Sequence, residues 1–252
     1  MDNSPFEVRQ SKICILLTAT IDPMGVPFMQ RNDPLVREKD YITALTNWLD
    51  KTGYLILFCE NSGYDISRIK KIAEKYKNKE IEFIQFDGQG FPREFGKGYG
   101  ELLTIKYSIQ HSSLVKHSDY IIKVNGRYFI KNIVKIADGL TRDNDVYVVA
   151  DLKKNLTWAD SRVFAFRPSF ALDYLTKLQN LINDSKGCYL EHILSRATLK
   201  AISDGYKWIP VPSKPVIIGY SGTSDIPSRT SKIRWFIGDI IHRTKNYLIK
   251  RY

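Results

Sequence analysis

The 252-residue chain is poor in cysteine, short of acidic residues relative to basic ones, and without a long apolar run. Its three cysteines, Cys14, Cys59 and Cys188, are too few and too scattered for a disulfide framework and make no CxxC or Cys/His pairing of zinc type, which points to a reducing compartment. No apolar stretch approaches the roughly 20 residues a membrane-spanning helix needs. The opening MDNSPFEVRQSK lacks the apolar core of a signal peptide, so a soluble or peripherally attached protein is expected. Four histidines and no Ser/His/Asp order argue against a hydrolase triad. Acidic pairs are equally scarce. The Asp-x-Asp in RDNDVY, like DGQGF, lies in a polar run that reads as a turn, because Asp and Asn hydrogen-bond locally there.

What is present is an excess of 38 Lys and Arg over 27 Asp and Glu, a net charge of +11 with a pI near 9.4, and 43% hydrophobic residues. That apolar content can bury a substantial core in one α/β domain. The charge favours an anionic partner: nucleic acid, nucleotide phosphates or the anionic face of a membrane. No RRM, KH or helix-turn-helix signature accompanies it, and nucleic acid is not the expected partner.

Along the chain, KICILLTAT reads as a buried first strand opening into a loop at Thr18, Thr20 and Asp22. A helix follows over Asp33 to Thr52. YLILFCEN is a second strand ending in Glu60, Asn61 and Ser62; a basic helix is expected from about Asp65 to Asn78, and IEFIQFDG is a third strand. GKGYGE then leads into an amphipathic helix carrying Leu102, Ile105, Ile109 and Leu114. DYIIKVNGRYFI is a strand with a bend at NGR, DVYVVADL another, and a helical pattern spans Tyr189 to Ser203. This alternation predicts a mainly parallel sheet, with ligands at the strand ends. WIPVPSKPVIIGYSGTSDIPSRT, with four prolines, reads as an extended wrapping segment, and KIRWFIGDIIHRTKNYLIKRY as a basic amphipathic helix.

Several groups of residues could carry chemistry. In IIKVNGRYF, Lys123 and Arg127 flank Gly126, and a bend there would aim both cations at one anion where other enzymes of this layout fix a metal with carboxylates. The alternative is an exposed strand with a glycine bulge. GKGYGE fits neither GxxxxGK[ST] nor GxGxxG; Gly98 and Lys97 would present amides and charge to an anion at a helix N-terminus, or the stretch is a flexible turn with Glu101 in the first helical turn. Candidates for a general base are Glu101, Asp160 and the neighbours Glu191 and His192 in CYLEHIL, Glu191 being flanked by Leu190 and Ile193 and either partly buried or on a helix surface.

The phrases ILLTATIDP, DPLVREKDYITAL, ILFCENSGYD, GKGYGE, IIKVNGRYF and IIGYSGTSD, in that order from about residue 13 to 225, resemble those of bacterial glycosyltransferases from capsule and O-antigen (lipopolysaccharide) loci. The resemblance implies an α/β fold: a GT-A-like, Rossmann-type, mainly parallel sheet flanked by helices over residues 1–231, with the basic amphipathic helix 232–252 as a possible membrane-surface anchor. It implies a nucleotide-sugar donor near Thr18, Thr20, Asp22, Glu60, Asn61 and Ser62, with Lys97, Gly98, Lys123, Asn125 and Arg127 towards its diphosphate. It also implies a lipid-linked glycan acceptor at the inner face of the cytoplasmic membrane. The chain departs from the wider pattern in lacking an acidic pair at the KVN strand end, so no metal or other cofactor is expected. The expected chemistry is sugar transfer to a hydroxyl, with Glu191, or failing that Asp160, taking the proton while Lys97, Lys123 and Arg127 stabilise the leaving diphosphate. A sugar-phosphate nucleotidyltransferase or a non-enzymatic nucleic-acid-binding protein are the alternatives.

Overall fold

The computed structural model describes residues 12–24, 30–142, 145–221 and 232–251. The side chains of Lys232, Ile233, Arg234, Leu248, Lys250 and Arg251 lie outside the described residues, as do Asp143, Asn144, most of the polar N-terminal stretch and the 222–225 part of IIGYSGTSD.

Seven strands build one sheet: β1 Ile13–Ala19, β2 Leu55–Glu60, β3 Ile81–Gln85, β4 Tyr120–Asn125, β6 Val146–Val149, β9 Val163–Phe166 and β10 Lys207–Ile209, in the order β10-β6-β9-β4-β1-β2-β3. Two small pairs flank it, β5 Tyr128–Ile130 with β11 Ile217–Gly219 and β7 Leu152–Lys153 with β8 Trp158–Ala159. The helices are α1 Pro34–Lys51, α2 Ser67–Ala73, α3 Gly96–His111, α4 Ser113–Lys116, α5 Ile133–Thr141, α6 Pro168–Phe170, α7 Leu190–Ser203 and α8 Lys232–Arg251. All pairings in the sheet are parallel except those of β9 with β4 and β6.

β1 is apolar throughout because both of its faces are covered. Ile13, Ile15 and Leu17 pack towards α1, α2 and α5 with Leu45, Trp48, Ile69 and Ile136, whereas Cys14 and Leu16 pack towards α3 and α7 with Leu102, Ile105, Ile193 and Leu194. Asp33 starts α1 by accepting from the amides of Leu35 (2.8 Å) and Val36 (3.4 Å), with Pro34 at the first helical position. The expected sheet, the first helix, the bend at NGR and the last helix are all present.

Three expectations need correction. The basic helix is shorter than Asp65 to Asn78, since α2 ends at Ala73. The proline-rich segment does not merely wrap: it supplies β10 at the sheet edge and β11 against β5. GKGYGE is not a turn ahead of a helix but the first turns of α3 itself, which places Glu101 in the second turn rather than the first.

Candidate functional site

The parallel strands β1, β2 and β4 end on one edge of the sheet, and a cleft opens there lined by Thr18, Thr20, Arg37, Tyr41, Gln89, Phe91, Lys97, Glu101, Asn125 and Arg127 among others. Its floor is fixed by buried polar groups. Glu60 is fully buried and accepts from the Ile21 and Ser62 amides at 3.0 Å and from the Ser62 hydroxyl; burial raises its carboxyl, and these bonds offset that rise only in part. Asn61 accepts from the Thr20 hydroxyl at 2.6 Å and donates to the Gly100 carbonyl at 3.0 Å. Ser62 accepts from the Asp22 amide at 3.0 Å. Glu60, Asn61 and Ser62 therefore brace the loop after β1; Thr18 near the end of β1 and Thr20 just after it line the cleft, and Asp22 does not.

Arg37 and Tyr41 of α1 complete that loop's support. The Arg37 guanidinium, 2% exposed, donates from Nε to the carbonyls of Thr20 and Ile21 at 3.0 Å and from Nη1 to that of Arg31 at 3.0 Å. Tyr41 Oη accepts from the Thr20 amide at 2.9 Å. Burial lowers the Arg37 pKa, and the nearby Arg127 charge adds to that lowering. Sequence reasoning did not single out Arg37, Tyr41, Gln89 or Phe91; Arg37 stands in the charged run REKD, which reads as a solvated helix face.

At the end of β4 the two predicted cations part company. Lys123 is fully buried; its Nζ pairs with Glu101 and donates to Asn125 Oδ1 at 2.6 Å and to the Ser161 carbonyl at 2.7 Å. Gly126 makes the bend: its amide donates to the Thr18 carbonyl at 2.8 Å, and a Cβ there would lie 2.8 Å from that same oxygen. Arg127, 8% exposed, then lines the cleft with Nη1 lacking any hydrogen-bond partner, and no described carboxylate pairs with it. The expectation that both cations aim at one anion is thus corrected, because Lys123 is committed to internal acceptors.

The glycines of GKGYGE serve packing. A Cβ on Gly98 would come within 3.1 Å of the Leu190 backbone nitrogen and one on Gly100 within 3.0 Å of the Phe91 ring, so α3 sits too close to its neighbours for larger residues. Asp184 lies at the start of α3, where burial raises its carboxyl to about 6 while Lys97 and the amides of Gly98 and Lys97 pull the other way. A carboxylate, not an open cradle, meets the helix N-terminus. Gly98 is buried and does not line the cleft, but Lys97 is exposed and does.

Glu191 accepts from the Ser161 hydroxyl at 2.7 Å, on the far side of the residue whose carbonyl receives Lys123, and does not line the cleft. Asp160 also lies outside it, bound by Arg162 at 2.6 and 2.9 Å and by Lys153 at 3.2 Å. Against the raising effect of burial, Arg162 and Lys153 hold its carboxyl well below the ordinary range, so it is a weak proton acceptor. Burial pushes the Cys14 and Cys59 thiols up to about 12, which removes them as nucleophiles. Thr18 donates to Glu101 Oε1 at 3.2 Å, leaving Oε2 without a hydrogen-bond partner among the described residues. Glu101 is therefore the carboxylate that faces the cleft.

The donor set suits an anion better than a divalent cation. Among the described residues no group of three His, Cys, Asp or Glu side chains converges. Asp145 precedes β6, which runs parallel to β4, so it lies at the opposite edge of the sheet from the cleft.

No family model matches the chain, and no curated protein does. Solved structures resemble its fold. A mannosyltransferase from Pyrobaculum calidifontis, in complex with GDP-Man and Mn2+, is 11% identical with a TM-score of 0.50, over 95% of this chain and 64% of that one. The glycosyltransferase GlyE of Streptococcus pneumoniae is 10% identical with a TM-score of 0.49, over 79% of this chain and 45% of that one. A cytidylyltransferase from Leptospira borgpetersenii is 14% identical with a TM-score of 0.41, over 95% and 96%. This chain accordingly spans under two thirds of the length of the first two, and what it shares with the mannosyltransferase is the fold, a mostly parallel sheet flanked by helices.

Proposed function

We propose that this protein is a glycosyltransferase that moves a sugar from a nucleotide-diphosphate donor to a hydroxyl of an acceptor glycan. The observation that carries the reading is Arg127, a guanidinium buried to 8% exposure, unpartnered at Nη1 and lining a cleft at the strand ends. A buried cation left without a counterion is costly, and a diphosphate would supply acceptors that match its planar fork. Lys97 on the same cleft adds a second positive charge, and Thr18, Thr20, Asn125 and Gln89 offer polar contacts to the donor.

In the transfer, the bond between the anomeric carbon and the diphosphate oxygen breaks as the acceptor oxygen bonds to that carbon. The electron pair leaves with the nucleoside diphosphate, whose growing charge Arg127 and Lys97 stabilise. The acceptor's proton passes to a carboxylate. Glu101 takes that role in place of Glu191 and Asp160, since it alone of the three lines the cleft. Lys123 orients it, and Glu191 steadies the same array through Ser161.

Cations in place of a carboxylate pair support a metal-independent reaction, in contrast to the Mn2+ complex of the Pyrobaculum calidifontis mannosyltransferase. The sequence resemblance supports a lipid-linked bacterial surface glycan, of capsule or O-antigen type, as acceptor, and a position on the inner face of the cytoplasmic membrane. The test is thermal unfolding of the whole chain with a panel of nucleoside diphosphates and nucleotide sugars in EDTA. At least one should raise the midpoint with the metal removed. A rise seen only with Mn2+ would defeat metal independence, and no rise under any condition would defeat the donor reading.

A further inference from the structure

Helix α8 is attached to the domain by its polar side. Asp239, 4% exposed, accepts from the Ser213 hydroxyl at 2.9 Å and the Lys214 amide at 2.8 Å; Trp235 donates to the Lys214 carbonyl at 3.2 Å, and Asn246 to that of Val211 at 2.8 Å, where His242 also bonds at 2.5 Å. At about 100° per residue, Trp235, Asp239, His242 and Asn246 fall on one narrow stripe. The opposite side carries Phe236, Ile237, Ile240, Ile241 and Tyr247, which are 62%, 53%, 48%, 52% and 59% exposed. A helix in a soluble domain ordinarily turns such residues inward. Here the polar stripe turns inward, with Asp239 buried and Trp235, His242 and Asn246 half-buried, and the apolar one faces out.

Between these two sides, α8 borders a cleft of about 420 Å³ against the β6 to β9 region. Its walls carry Lys153, Lys154, Arg162, Lys214 and Lys245 against Asp151 and Asp160. The two carboxylates are already engaged: Asp160 by Arg162 and Lys153, and Asp151 by the Val211 amide at 3.2 Å beside His242. Lys214 and Lys245 have no described carboxylate partner. Ile241 belongs both to this cleft and to the exposed apolar stripe, and Lys245 lies one helical turn beyond it.

We propose that this arrangement is a docking site for an anionic phospholipid surface: the apolar stripe of α8 enters the outer part of the bilayer and the adjoining cleft receives a lipid phosphate headgroup between Lys214 and Lys245. The charge and the apolar face are contiguous at Ile241, as the two ends of one amphiphile require. Cations at such a surface each favour anionic lipid. The site stands apart from the donor cleft and does not depend on the sugar-transfer reading, although it would present that cleft to a membrane-borne acceptor.

The experiment is co-sedimentation of the full chain with vesicles of phosphatidylcholine alone and of phosphatidylcholine with phosphatidylglycerol. Binding is expected to the anionic vesicles and to be at least about tenfold weaker to the neutral ones. Ile240→Glu, on the exposed stripe, should abolish binding, and Lys245→Ala and Lys214→Ala should each weaken it roughly fivefold, that being the fold-change of about one unit charge at the surface. Thermal midpoints equal to wild type show that the variants are folded, and Lys245→Ala, at an exposed position, decides the matter if Lys214→Ala is not. Equal binding to both vesicle types, or Lys245→Ala binding like wild type, overturns the headgroup site; unchanged binding by Ile240→Glu overturns insertion. Glycerol 1-phosphate in solution separates a headgroup from a free phosphate: if it binds in the cleft while vesicles do not bind at all, the lipid reading is wrong.

Discussion

The buried ammonium of Lys123, at the end of β4, is ion-paired with the Glu101 carboxylate of α3 across the edge of the candidate cleft. Asn125 and the Ser161 carbonyl take its other protons, so all three donors of the ammonium are satisfied inside the fold. This makes Lys123 a positioning residue, where the sequence pointed to a ligand contact. Lys123→Ala should leave Glu101 partly buried without its counterion and lower stability by about 3–5 kcal/mol, measured by urea unfolding. A loss of activity at unchanged stability would instead make it a ligand-contacting group.

Glu101→Gln separates proton transfer from packing, because the amide keeps shape and an acceptor oxygen near Lys123. Turnover should drop by about a hundredfold or more while nucleoside diphosphate still raises the melting midpoint. The same substitution at Glu191, which reaches the cleft residues only through Ser161 and Lys123, should have a smaller effect on turnover. If Glu191→Gln is the more damaging of the two, the base assignment is reversed.

Arg127→Ala should abolish the stabilisation by nucleoside diphosphate, since each charge-assisted hydrogen bond contributes about 1.5–3 kcal/mol. Without ligand, the variant should be as stable as wild type or more so, because it removes a buried donor that has no partner. Arg127→Lys is expected not to restore binding, as a single ammonium cannot reproduce the fork. Retained binding by Arg127→Ala, read by calorimetry, would remove the observation on which the functional reading rests.

The parallel strands were legible because each is an apolar run covered on both faces, as KICILLTAT shows in β1. β9 was missed: VFAF is four residues long inside an aromatic stretch, and its antiparallel insertion between β4 and β6 depends on contacts remote in sequence. Arg37 was hidden for a related reason. Its run of charges matches a solvated helix face, and only docking of α1 on the Thr20 and Ile21 carbonyls buries it. The glycines of GKGYGE suggested an anion cradle or a flexible turn, yet they lie inside α3, where Leu190 and Phe91 approach Gly98 and Gly100 too closely for side chains.

That packing gives a contrast between two glycines. Gly96 has φ of +74°, and a Cβ there would fall 2.5 Å from Asp184 Cβ, whereas nothing lies within 4 Å of one on Gly53. Gly96→Ala should cost about 1–3 kcal/mol through backbone strain and displacement of Asp184; Gly53→Ala should be neutral or slightly stabilising. Equal thermal midpoints for the two variants would mean that the start of α3 yields readily.

Asp184 itself should leave a signature in the pH dependence of stability. Burial raises its carboxyl from 3.8 to about 6 in the folded protein, with Glu191 nearby adding to the rise and Lys97 opposing it. A carboxyl whose folded value is raised binds its proton more tightly when folded, so this group favours folding most below about pH 4 and progressively less as the pH climbs to about 6. The loss is complete and constant from about one pH unit above that value. Asp184→Asn keeps an oxygen for the Lys97 and Gly98 amides and removes the charge. At neutral pH the variant should be about 1 kcal/mol more stable than wild type, a figure reduced for the partial exposure of the group, and near pH 4 the difference should vanish. Denaturant midpoints of both proteins from pH 4 to pH 7 decide it: parallel curves would mean that the carboxyl is not raised, and a variant less stable at neutral pH would mean that the charge at the start of α3 supports the helix.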